Sequence, residues 1–81
     1  MNAPSPAPDE VSFGRSADGL LVALVSETAF AMAPARDGRH YLVTAWCISR
    51  PMAEWTRGDF YGHLGELADE AAFRSAVLEN A

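Results

Sequence analysis

The sharpest chemical pattern in the sequence lies in its last third. Asp59, His63 and Glu66 stand at i, i+4 and i+7, a spacing that on a helix sets two carboxylates and an imidazole on one face. Such a set is of the type that holds a divalent metal, and carboxylate beside imidazole also suits acid–base work. The signal is weak. Acids and histidine are common on a polar helix face, and no group to orient the imidazole can be named, so the reading stays with no metal and no cofactor. A second pairing, Cys47 with His40, fails on distance. Seven residues of extended strand separate the two by roughly 23 Å, and Cys47 is expected to be a small buried hydrophobe. Glycines fall singly, with no phosphate-cradling loop, and no serine nucleophile elbow is present.

Arg50, Trp55 and Arg57 form a different kind of candidate. Arginine beside an exposed aromatic is a composition enriched at protein interfaces. Phe73 and Val77 join them on a separate argument. In one straight helix from Asp59 to Leu78, Phe60, Leu64 and Leu67 would make one stripe, and Phe73 would lie roughly 220° away from Phe60. Either the helix breaks near Ala68, with Asp69 as a fresh N-cap, or Phe73 and Val77 meet another chain. Gly62 and Gly65 weaken the first half, which favours the break.

These residues hang on a stretch that reads as turn, strand and helix start. Asp37-Gly38 is a hairpin signal whose two-residue form needs φ > 0 at both positions. Tyr41 to Ile48 is rich in β-branched and aromatic residues and lacks Gly and Pro. One face would carry Leu42, Thr44, Trp46 and Ile48, the other Tyr41, Val43, Ala45 and Cys47. Neither is plainly polar, which predicts a central strand covered on both sides, with Trp46 in the core. Ser49 can N-cap a short helix over Arg50 to Trp55 that contains Pro51 in its first turn.

Upstream, Val11 to Arg15 is a short candidate strand, Asp18-Gly19 a second hairpin signal, and Leu20 to Val25 an apolar central strand. Residues 27–33 fit two descriptions. Alternation of Thr28, Phe30 and Met32 suggests an edge strand and the alanines a helical turn. A tight reversal near Ser26 favours strand. Residues 1–10, with Pro4, Pro6 and Pro8, read as a disordered Pro/Ala-rich tail, and residues 11–81 as one domain. The fold class is therefore α+β: an antiparallel meander of three or four strands with C-terminal helices packed on one face.

The chain has 81 residues, of which 49% are hydrophobic, so it folds as a single small domain that buries roughly 60% of its unfolded surface. Eleven acids against six arginines, with no lysine, give a net charge of −5. That balance opposes binding to a nucleic-acid backbone. One cysteine rules out an internal disulfide framework, no apolar run approaches the roughly 18 residues of a membrane span, and no signal peptide is seen. The expectation is an acidic cytoplasmic interaction module, not an enzyme, that binds another protein or itself. An acidic inhibitor or nucleic-acid mimic set in a basic groove is the alternative, and an enzyme using His63 comes third.

Overall fold

A computed structural model of the chain describes residues 10–81. Five strands and one helix follow in order: β1 (Ser12–Arg15), β2 (Leu21–Val25), β3 (Thr28–Pro34), β4 (His40–Trp46), β5 (Gly62–Leu67) and α1 (Glu70–Asn80). Each strand pairs antiparallel with the next, so the sheet order is β1-β2-β3-β4-β5. The α+β meander expected from the sequence is therefore present, with five strands in place of three or four and one helix in place of several. Of the proline-rich segment read as a tail, all but Glu10 lies outside the described residues.

The turns explain the meander. In the first, Ser16 N–H donates to Leu20 O and Gly19 N–H to Ser16 O; in the third, Ala35 N–H donates to Arg39 O and Gly38 N–H to Ala35 O. Gly19 and Gly38 both have φ +85°, while neither preceding aspartate has positive φ. Each is thus a three-residue hairpin loop closed by a left-handed glycine, not the two-residue form anticipated at Asp37-Gly38. Between them, Val25 pairs with Thr28 across a tight reversal at Ser26. Residues 28–34 are consequently strand, and a central one, because β3 is bonded to β2 and β4 on its two sides.

Both faces of the sheet are buried, for different reasons. On one, Leu21, Ala23, Phe30, Leu42 and Leu67 pack with Phe73 and Val77 of α1. Asp69 caps that helix, its side chain accepting from Ala72 N–H at 2.8 Å. The helix begins where the sequence suggested, but what precedes it is strand β5 and not a first helical half. The Phe60/Leu64/Leu67 stripe is dispersed accordingly. Leu67 is buried beneath α1, Phe60 lies on the opposite face, and Leu64 is 46% exposed where β5 shifts register against Leu42 and Val43.

On the other face, Leu20, Val22, Val43 and four alanines, Ala29, Ala31, Ala33 and Ala45, lie beneath Trp55 and Phe60. Both rings belong to the long β4–β5 connection, which crosses this face as a strap. The expected helix over Arg50 to Trp55 is only a single 3-10 turn at Met52–Glu54, with no side-chain cap from Ser49; another such turn spans Arg57–Asp59. A strap this short of helix is held by individual bonds. Ala17 N–H donates to Trp55 O at 2.7 Å, Arg57 N–H to the Asp18 carboxylate at 2.8 Å, and Thr56 N–H to the Asp59 carboxylate at 2.9 Å. Arg50 pairs with Asp59, and the Trp55 indole N–H donates to Arg50 O at 2.8 Å.

Candidate functional site

The residues singled out in the sequence are not gathered in one place. Asp59 sits in the strap, bound by Arg50 and by Thr56 N–H, and these contacts hold its carboxyl below the ordinary aspartate range, the Thr56 bond most of all. His63 is exposed on β5, its ring 4.8 Å from that of Tyr41. Glu66 accepts from Arg39 at 2.5 Å. With β5 extended, the helical face that was to unite the three does not exist, and no cluster of three His, Cys, Asp or Glu side chains suited to a metal occurs among the described residues.

The interface candidates divide in the same way. Trp55 is 2% exposed, and Phe73 and Val77 are fully buried against the chain's own sheet. The apolar side of α1 thus has its cover within the chain. Arg50 and Arg57 are exposed but committed, Arg50 to Asp59 and the Arg57 side chain to Phe60 O at 2.9 Å.

Trp46 reverses the expectation made for it. It is 61% exposed, although register aligns it with Leu42 and Thr44 on the helix side. It is the last residue of β4, where α1 no longer covers the sheet, and Cys47 then turns the backbone away with φ +52°. Tyr61, 66% exposed, stands against it edge to face, ring centroids 6.0 Å apart. The Trp46 N–H also donates to the Tyr61 hydroxyl oxygen at 3.1 Å, which fixes the two rings as one corner. Sequence reasoning groups Tyr61 with Trp46, Trp55 and Tyr41 as a stacking platform for bases, a weak reading without lysine, and does not place it among the interface candidates. Its position two residues after the Arg57–Asp59 turn gives no sign that it would stand against Trp46.

Behind this corner, on the strap side of the same sheet end, is an open cleft of about 450 Å³. Leu24, Ile48, Met52 and Trp55 make its floor, and Ser26, Glu27 and Cys47 stand at its rim. Cys47 is exposed, not buried as expected. Its thiol donates to the Glu27 carboxylate at 3.6 Å, and that contact raises the thiol pKa, keeping sulfur protonated and a poor nucleophile.

Surface charge is mixed. Arg39 pairs with Asp37 and Glu66, Arg50 with Asp59, and Arg74 with Glu70. Among the described residues no helix is long and apolar enough to cross a membrane. Comparison with protein-family models, with curated proteins and with solved structures found no match.

Proposed function

We propose that this chain is a small cytoplasmic protein-interaction module whose contact surface is the Trp46/Tyr61 corner. One observation carries the reading: two large aromatics, each more than half exposed, are held against each other by ring contact and a hydrogen bond, and no other large apolar side chain among the described residues is as exposed as either. Exposed tryptophan and tyrosine present wide, rigid, amphipathic area at low entropic cost, which is why they dominate binding hot spots. The alternative of an acidic mimic needs a continuous acidic face, whereas Asp37, Asp59, Glu66 and Glu70 each have an arginine beside them.

The test compares the parent with a Trp46→Ser/Tyr61→Ser variant as bait in native lysate, with light scattering on both to detect a second copy as the partner. The variant should keep the parent's fold and lose the partner, truncation of paired aromatic hot spots costing about 2 kcal/mol or more. A variant that retains every partner of the parent, in the lysate and in self-association, overturns the proposal.

A further inference from the structure

The cleft behind the corner has the composition of a receptor for one side chain. Its floor is aliphatic and aromatic, from Leu24, Ile48, Met52 and Trp55, and its volume of about 450 Å³ falls in the range of small-ligand sites. Its rim carries opposite charges of unequal availability. The Arg50 guanidinium is already engaged by Asp59, whereas Glu27 takes part in no ion pair among the described residues. The charge left unmatched at this rim is one carboxylate, on a chain whose net charge is −5. A fitting occupant has an apolar stem and a cationic tip.

The carboxylate also discriminates between cations. One of its oxygens, Oε2, faces the Cys47 thiol at 3.6 Å, which leaves Oε1 as the open acceptor. Arginine's planar fork is best matched by two free carboxylate oxygens, while an ammonium is a compact point charge that needs only one. A lysine stem, four methylenes long, lays well along an apolar floor while its tip stays at the wet rim. This chain contains no lysine, so a second copy cannot supply one.

We propose that this cleft receives a lysine side chain of a partner protein, its stem on Ile48 and Met52 and its ammonium on the Glu27 carboxylate. The proposal rests on the interaction-module reading and names the partner's chemistry. Cys47 N–H donates to Glu27 O at 2.9 Å directly after Trp46, so the cleft and the aromatic corner flank one sheet end and a single partner can engage both.

The test is a titration of the isotope-labelled protein, read by NMR, with lysine capped as its N-acetyl methylamide. Capped norleucine, with nearly the same stem and no charge, and capped arginine serve as comparisons. Capped lysine should shift the signals of Glu27, Cys47, Ile48 and the Trp55 indole N–H, and bind more tightly than either comparison compound. Glu27→Gln, an exposed and nearly isosteric change, should weaken capped lysine by about two- to fivefold and leave capped norleucine unchanged, as loss of an exposed ion pair requires. Added salt should act in the same direction. The Trp46→Ser/Tyr61→Ser variant should bind capped lysine as the parent does, so failure of the corner and failure of the cleft give different results. Absence of shifts in the cleft, equal binding of capped norleucine, tighter binding of capped arginine, or indifference to Glu27→Gln overturns the proposal.

Discussion

The Asp18 carboxylate accepts a hydrogen bond from the backbone N–H of Arg57, 39 residues along the chain, at 2.8 Å. Its other oxygen is bound by the Ser16 hydroxyl, and Ser16 Oγ in turn accepts from Leu20 N–H at 2.9 Å. One side chain thus shapes the β1–β2 turn and fastens the strap to it.

Acid should loosen this fastening. The Ser16 hydroxyl first, and then Arg57 N–H, hold the Asp18 carboxyl below the ordinary aspartate range, and Asp59 within the strap is lowered by Thr56 N–H and Arg50. A carboxyl whose pKa is depressed on folding contributes stability that is fully present above its unfolded value and lost as pH falls through the folded one. Stability should therefore decline below about pH 4. Asp18→Ala should lower the melting temperature at pH 7 and flatten part of that decline. Thermal melts from pH 7 to pH 2, followed by Trp55 fluorescence in a Trp46→Phe background, check both. An acid limb identical in parent and Asp18→Ala would assign the decline to other groups.

Two aromatic truncations should differ sharply. Trp46→Ala removes a ring that is mostly in water and should cost about 0.5 kcal/mol or little more. Phe73→Ala opens a cavity where the side chain is fully buried between α1 and the sheet, and should cost about 3–5 kcal/mol. Denaturant unfolding of the two variants measures the contrast, and similar losses would contradict the placement of Trp46.

Gly62 and Thr44 should be coupled. A Cβ on Gly62 would lie 2.7 Å from Thr44 Cγ2. That methyl cannot swing aside freely, because the Thr44 hydroxyl donates to Ala29 O at 2.8 Å and fixes the rotamer. Gly62→Ala should therefore cost about 1–3 kcal/mol from overpacking. Thr44→Ser keeps the hydroxyl and removes the methyl, so the double variant should be more stable than the two single losses added together. A double-mutant cycle with no interaction energy would show that the strand pair relaxes without Thr44.

The strands were legible where side-chain period and turn chemistry agreed. Leu20 to Val25 and Tyr41 to Trp46 are apolar on both faces because α1 covers one side of the sheet and the strap the other. Strand β5 was masked by coincidence. Phe60, Leu64 and Leu67 happen to stand at helical spacing, yet they end up on the strap side, in solvent and beneath α1. The contrary signal was Gly62 and Gly65, the latter at φ +137° in the irregular part of the β4–β5 pairing. For Trp46 the period assigned the correct side but not the extent of the cover, since how far a helix reaches along a strand is a tertiary fact. The corner itself was beyond local patterns, because Trp46 and Tyr61 meet only after the strap has crossed the sheet and returned.

The first four strands can close hairpin by hairpin with little loop entropy lost at each step, whereas β5 reaches β4 only across the long strap. The strap is different: it is buckled to the first turn at Asp18 by a bond that closes 39 residues at once. The first hairpins and this buckle thus draw on contacts of very different sequence separation. Were the strap to unfasten, Trp55 and Phe60 would leave the core, and the alanine-paved face beneath them is the surface that such an opening would bare to water.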